Sequence, residues 1–298
     1  MPQPVAGPGE VLVRVHSSSV NAFDVGVASG AMKAYMPYEF PAVIGSDLAG
    51  TIEAVGDGVD GFSPGDRVFG MMGAKGAIHD GSFAELANPQ AASIAIAPTD
   101  LSDADAGTLA VAGTTAMSAV EAFDPSEGAH VLILGATGGV GTFAIRLAAL
   151  RGAHVIASVR PGDEEFVTGL GAAETVDYTG DVIAAIRERY PDGVDAVIDA
   201  VNRDPNVFAA LAGVVREDGR ATSVVAGQVG HGDGVARAET PPDTEGRSRP
   251  ASRASRPRRR TSGARRRTPL CVGEMRRHVL EHPSIRDDQE GGGGNSPS

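Results

Sequence analysis

The chain has 298 residues, 38 acidic side chains against 26 basic ones, a net charge of −12 and no tryptophan. That length accommodates two ordinary domains. No apolar run is long enough to span a bilayer and no signal-peptide pattern opens the chain, so a cytoplasmic location is expected, while the single cysteine, Cys271, excludes an internal disulfide and a cysteine-rich zinc site.

Residues 10–15, Glu-Val-Leu-Val-Arg-Val, alternate apolar and polar as a half-buried strand does. Val43-Ile44-Gly45 and the run Leu48 to Gly56 predict further short strands cut by glycines. Pro64-Gly65-Asp66-Arg67-Val68-Phe69 reads as a turn entering another strand. Short strands with frequent turns predict a compact β-rich unit up to about residue 100. Ser102, with Asp105 three residues on, predicts a helix start, and an Ala-rich segment follows to Ala122.

From His130 the pattern alternates strand and helix. Strands are expected at 131–134, 154–158, 174–176, 194–199 and 221–225, and helices at 139–151, 163–170, 180–189 and 205–214. Such alternation predicts a parallel sheet with right-handed crossovers. The most informative stretch is Val131-Leu132-Ile133-Leu134-Gly135-Ala136-Thr137-Gly138-Gly139-Val140-Gly141. An apolar strand ends in a glycine turn, Phe143, Ala144, Leu147 and Ala148 follow at helical spacing, and a second strand opens at His154. That context brings backbone N–H groups close to a pyrophosphate.

Beyond about Gly227 the composition changes. Residues 1–235 carry 12 Lys/Arg and 30 Asp/Glu, whereas residues 236–298 carry 14 and 8. Ten of the 21 residues from Arg247 to Arg267 are arginine, and no Phe or Tyr lies beyond Phe208. Such a segment buries too little apolar surface to offset its ordering entropy, so a disordered tail is expected over 229–298. Leu270 to Ile285 carries a short helical pattern, and the last eight residues read as linker. The arginine run can meet nucleic-acid phosphates, but it lacks aromatics for base stacking, and the expectation is against a nucleic-acid partner.

Three motifs together resemble the medium-chain dehydrogenase/reductase superfamily, in its zinc-free quinone-oxidoreductase branch. One is Gly45-Ser46-Asp47-Leu48-Ala49-Gly50-Thr51-Ile52, continuing to Val55-Gly56 and Gly65-Asp66-Arg67-Val68. Another is Gly81-Ser82-Phe83-Ala84-Glu85 followed by Ala112-Gly113-Thr114-Thr115-Ala116, and the third is the Gly135–Gly141 turn. The likeness runs from about Pro4 to Ala226. It implies an α/β protein: a GroES-like β-rich catalytic domain over 1–112, then a doubly wound Rossmann NADP-binding domain over 113–228, with the active site between them. Two departures stand out. The family's opening β-hairpin is nearly absent, and the arginine-rich tail stands where the family's chain returns to the β domain. A shifted reading frame or mis-assembled gene would account for the second departure, and an incomplete, inactive member that binds nucleotide at most is the alternative reading.

The resemblance implies site residues. Gly135, Ala136, Thr137, Gly138, Gly139, Val140 and Gly141 form the dinucleotide turn, with Ala136 in the place of the fingerprint's first glycine. NAD binders usually place an acidic residue at the end of the second strand. Here Ser158-Val159-Arg160 stands there, and a hydroxyl and a guanidinium suit a 2′-phosphate. Tyr178 matches a family tyrosine near that phosphate, so NADPH is favoured, although a solvated Arg160 and a packing Tyr178 remain open. Thr115 matches a threonine beside the nicotinamide ribose, and Val201 and Val225 close strands under the cofactor. Asp199 stays open between a strand-end turn and a ligand.

Zinc-dependent relatives hold their metal with a Cys, a His and a Cys or Asp. The matching places here are Asn21, Ser46 and Val111, so no catalytic metal is expected. In this branch hydride passes from nicotinamide to a quinone or an α,β-unsaturated carbonyl, and the developing oxyanion needs donors. Asn21 is the first candidate, Asp24 the second, and Tyr38 or Tyr35 a possible proton donor, with loop packing an open alternative for both tyrosines. Family members often form dimers through a sheet edge, which makes a homodimer an expectation.

Overall fold

Residues 3–73 and 76–225 are described by the computed structural model. The expectations for 229–298, including the helix at Leu270–Ile285, lie outside the described residues.

Strand β1 (Val11–Ser17) buries Val11, Leu12 and Val13 in succession and alternates only from Val13 onward, with Arg14 turned to solvent. It pairs antiparallel with β2 (Asp47–Val55), which pairs with β3 (Arg67–Met71); β4 (Leu86–Ala87) and β5 (Ile94–Ile96) complete a five-stranded sheet of order β4-β1-β2-β3-β5. Helix α1 (Ala22–Ala28) leaves β1, and short 3-10 turns lie at Ala31–Ala34 and Ala91–Ser93. Val43–Gly45 is not a strand. Gly45 takes φ +109°, and the segment instead exchanges backbone hydrogen bonds with His79, Ser82 and Phe83.

The Ala-rich segment divides in two. Ser102 caps α2 (Asp103–Ala106), its side chain accepting from the Asp105 amide at 3.1 Å. Gly107 ends that helix against Ser17, where a β-carbon would stand 2.6 Å from the Ser17 hydroxyl. Helix α3 (Ala110–Glu121) then begins afresh.

The second sheet contains β6 (His130–Leu134), β7 (His154–Val159), β8 (Glu174–Asp177), β9 (Val194–Asp199) and β10 (Val215–Ser223), all parallel, in the order β10-β9-β6-β7-β8. Chain order reverses at β6, so a crevice opens beyond its C-terminal end. Helices α4 (Gly139–Leu150), α5 (Glu164–Thr168), α6 (Val182–Arg189) and α7 (Pro205–Ala212) are the crossovers. Strand β6 shows why its residues are continuously apolar. Val131 and Ile133 pack on one side with α3 and α4, while Leu132 and Leu134 pack on the other with Ile186 and Phe208. Each such fully buried side chain contributes about 1.5–3 kcal/mol. The strand expected at 221–225 begins instead at Val215, because a register shift between Val215 and Arg220 absorbs the Glu-Asp-Gly segment that reads as a loop.

One apolar cluster joins the two sheets. Ala49 and Phe69 from the first pack with Leu109, Met117 and Val120 around α3, and onward to Ile133 and Ile145. Helix α3 is therefore the shared wall between the sheets.

Candidate active site

The glycine turn lies at the switch point. Gly135 leaves β6 with φ +73°, a left-handed conformation that favours glycine. Ala136 is fully buried, whereas Thr137, Gly138 and Gly139 are exposed in succession before α4. Gly138 is the N-cap and has no side chain, so the first N–H groups of α4 receive no side-chain cap. Gly141 allows the helix to sit on the turn: a β-carbon there would stand 2.2 Å from the Gly135 carbonyl oxygen. Val140 is half-buried against the core beneath. Val201 overhangs the turn from the end of β9, where a β-carbon on Gly135 would meet it at 3.3 Å. Val225, just past β10, donates its N–H to Ser223 Oγ at 3.2 Å. The Gly138 N–H closes the turn onto the Gly135 carbonyl at 3.0 Å, so the donors a ligand would meet are the uncapped first amides of α4 itself, beside Val201, and such a helix start fits a dinucleotide diphosphate.

Strands β7 and β8 end side by side, the Tyr178 N–H donating to the Val159 carbonyl at 3.1 Å. Arg160 and Tyr178 therefore share that corner, both substantially exposed. Arg160 is held by Asp163, Nε to Oδ2 3.3 Å. Ser158, by contrast, is buried within β7 at 2 % exposure. Asp199 serves as the strand-end turn residue: its Oδ1 accepts from the Val201 and Asn202 amides and from Asn202 Nδ2. Its Oδ2 is buried with no hydrogen-bond partner among the described residues.

Across α3 lies a buried polar network. Asp47, fully buried at the start of β2, accepts hydrogen bonds at Oδ2 from Ser19 Oγ and from Asn21 Nδ2 (2.9 Å), and at Oδ1 from the Val111 amide (2.8 Å). Asp24, also buried, accepts from the Asn21 amide at 2.7 Å and from Ser46 Oγ at 2.6 Å. Burial pushes the Asp47 carboxyl above its ordinary value and the Asp24 charge adds to this, while the hydrogen bonds from Ser19, Asn21 and Val111 oppose it.

Asn21, Ser46 and Val111, expected to share one place, are thus brought together around two carboxylates. Both Asn21 amide hydrogens are engaged, the second by Ser19 Oγ at a longer 3.2 Å. This donor set does not fit catalytic zinc, because an amide, a hydroxyl and a valine replace the thiolates and imidazole it prefers. Among the described residues no group of three or more His, Cys, Asp or Glu could hold a metal ion, and no helix is long and apolar enough to cross a membrane.

Tyr38 lies elsewhere. Its hydroxyl donates to the Val27 carbonyl at 2.8 Å, near the far end of α1, and its ring stacks on Phe40 with centroids 5.9 Å apart. Tyr35 is exposed. Thr115, half-buried on α3, donates to the Val111 carbonyl at 2.6 Å, one turn from the amide that Asp47 holds. In the sequence Asp47 stands out only as part of the Gly45–Ile52 motif. The available signal is a carboxylate followed directly by apolar Leu48 and Ala49 at the start of a strand, where it must find donors if buried.

The family models described as "Alcohol dehydrogenase GroES-like domain" and "Zinc-binding dehydrogenase" match residues 7–144 and 139–239. A chloroplast envelope quinone oxidoreductase homolog of Arabidopsis thaliana is 31 % identical over 233 residues, which cover 76 % of this chain and 69 % of the relative. Among solved structures, an alcohol dehydrogenase superfamily protein from Novosphingobium aromaticivorans is 33 % identical with a TM-score of 0.69, covering 77 % of this chain and 69 % of that one. The quinone oxidoreductase from Coxiella burnetii is 29 % identical with a TM-score of 0.66, covering 75 % and 69 %. With the β-rich sheet, the 3-2-1-4-5 parallel sheet and the glycine turn at its switch point, these matches establish that the chain belongs to the medium-chain dehydrogenase/reductase superfamily and is quinone oxidoreductase-like.

Proposed function

We propose that this chain is an NADPH-dependent oxidoreductase that reduces a quinone or an α,β-unsaturated carbonyl without catalytic zinc. The observation that carries the reading is the exposed, uncapped start of α4 beside Thr137–Gly139 at the switch point, joined through α3 to the network of Asn21, Asp24 and Asp47. Bound NADPH would supply the hydride. The Gly138–Gly141 turn would hold its diphosphate, Arg160 and Tyr178 its 2′-phosphate corner, and Val201 and Val225 the apolar wall. Buried Ser158 can reach the phosphate only by moving, so it is the weakest member of that set.

Asn21 would stabilise the oxygen that gains charge. Its hydrogen bond to Asp47 fixes the amide plane, and the longer bond to Ser19 is the one that exchanges for substrate. Asp24 holds the Asn21 backbone and would not meet substrate directly. Tyr38 would tie its loop to α1. Exposed Val20, Phe23 and Val25 beside Asn21 suit a flat, apolar acceptor.

The test is turnover of NADPH with a panel of quinones and enones on purified full chain. Acceptor-dependent oxidation of NADPH supports the reading. Coenzyme binding without turnover of any acceptor would favour an inactive nucleotide-binding protein, and absence of coenzyme binding would remove both.

A further inference from the structure

Asp47 draws together three segments that are distant in sequence. Its carboxylate receives Ser19 and Asn21 from the loop entering α1, and the Val111 amide in the first turn of α3. The N-cap position of α3, Leu109, offers no side-chain acceptor. The helix therefore takes its cap from a strand 64 residues away in sequence. A negative charge at that end also complements the helix dipole. The Asp47 carbonyl is held as well, by Ser18 Oγ at 2.6 Å, so the carboxylate stands on a braced backbone. Thr115 hangs from the same turn, through its bond to the Val111 carbonyl.

We infer that Asp47 is a positioning residue that fixes the first turn of α3, with Thr115, against the loop that carries Asn21. One carboxylate sets the spacing between the coenzyme-facing helix and the acceptor-facing loop. It acts through Val111 and Asn21 and needs no contact with either reactant. Its effect on hydride transfer rests on the function proposed above, but the clamp itself is testable without turnover.

The experiment compares wild type, Asp47→Ala and Asp47→Asn as full chains. Amide hydrogen exchange is read at Val111 and at Leu132 and Ile133 in β6, coenzyme affinity by NADPH fluorescence, and kcat with the best acceptor. Asp47→Ala is expected to lower protection at Val111 about tenfold, as for loss of one hydrogen bond, and to leave β6 unchanged. kcat should fall about tenfold with coenzyme affinity within about twofold, since the diphosphate turn is untouched. Asp47→Asn should recover most of the protection, because its amide oxygen still accepts from Val111. Unchanged exchange at Val111 in both variants would overturn the inference. So would a loss of protection spread equally over β6, or a fall in kcat matched by an equal fall in coenzyme affinity. Should Asp47→Ala not fold, the Asn variant decides alone: a roughly threefold loss confined to Val111 supports the clamp, and none refutes it. An inactive wild type would count against the proposed function, while the exchange results would still decide the clamp.

Discussion

Gly141→Ala asks whether helix α4 must ride on the turn below it. A methyl group at 141 would stand 2.2 Å from the Gly135 carbonyl oxygen, 2.7 Å from Ala136 Cα and 2.8 Å from the Ala136 carbonyl carbon. All three are backbone atoms, so no side chain can rotate away. Ordinary contact needs roughly 3.5 Å, so the first turn of α4 must retreat by about 1 Å. Overpacking of this kind costs about 3 kcal/mol, the upper end of its range. Alanine's better helix propensity returns about 1 kcal/mol. The remaining ~2 kcal/mol lowers Tm by about 4–8 °C for a fold of this size. The same retreat carries the uncapped amides of Gly139 and Val140 beyond hydrogen-bond reach of a diphosphate. Two such bonds, each worth ~1.4 kcal/mol, correspond to about a hundredfold weaker coenzyme binding. Gly139→Ala is the control. Its methyl would meet only the Ala112 β-carbon at an ordinary 3.6 Å, so Tm should hold. Thermal unfolding with and without NADPH, together with fluorescence titration, measures both quantities. If Gly141→Ala kept its Tm, the close packing would be irrelevant. If Tm fell and NADPH affinity did not, the turn would not be the diphosphate cradle.

Arg160→Ala should weaken NADPH about tenfold and NADH less than twofold, since only NADPH carries the phosphate that a guanidinium grips; equal weakening in parallel titrations would remove Arg160 from the 2′ corner. Tyr38→Phe should retain kcat within about threefold and cost roughly 1 kcal/mol in urea unfolding, because the hydroxyl is committed to the Val27 carbonyl; a far larger loss of kcat would make Tyr38 the proton donor after all. Two aspartates should give stability–pH profiles of opposite sign. Hydrogen bonds from Arg67 and His16 hold Asp103 below its ordinary 3.8, so its contribution is present above pH 3.8 and is lost as pH falls through the lower folded value. The deficit of Asp103→Asn relative to wild type should therefore shrink in urea titrations below about pH 4. Burial raises Asp47 instead; the folded state then holds its proton more tightly than the unfolded state, and wild-type stability declines as pH rises from 3.8 towards the folded value. The stability difference between Asp47→Asn and wild type should shift in the variant's favour across that window, and a shift the other way would show that Asp47 is not penalised by burial.

What the sequence made legible is local. The apolar run of Val131–Leu134, the glycine turn and the spacing of Phe143, Ala144, Leu147 and Ala148 each follow from one strand or helix and its immediate neighbours, and β6 and α4 form where that pattern puts them. The Ser102 cap is equally local, three residues from its partner. Misreadings arise where a distant segment decides. Val43–Gly45 looks like a strand, yet its backbone bonds go to His79, Ser82 and Phe83 across a left-handed glycine. Glu217-Asp218-Gly219 looks like a loop, yet β9 draws the flanking residues into its edge through a register shift. Ser158 reads as a phosphate-facing hydroxyl, but β7 is covered on both faces and Ser158 is buried with Ala157 and Val159.

Asp47 is the sharpest case of that rule, and it explains why the site is harder to read than the fold. A carboxylate buried without donors is costly to the folded state, so its position is tolerable only if other segments deliver them. Those donors come from Ser19 and Asn21 before α1 and from Val111 in α3, and no window of sequence contains them together. The same arrangement removes Asn21 from the list of free donors and gives it a fixed plane, since one of its hydrogens is bound to a charged, immobile partner. A preoriented amide stabilises a developing oxyanion better than a mobile one, because no reorganisation is left for the moment of reaction. If the proposed function holds, this network is what would let a neutral asparagine steady the developing charge, and its geometry belongs to the tertiary structure alone.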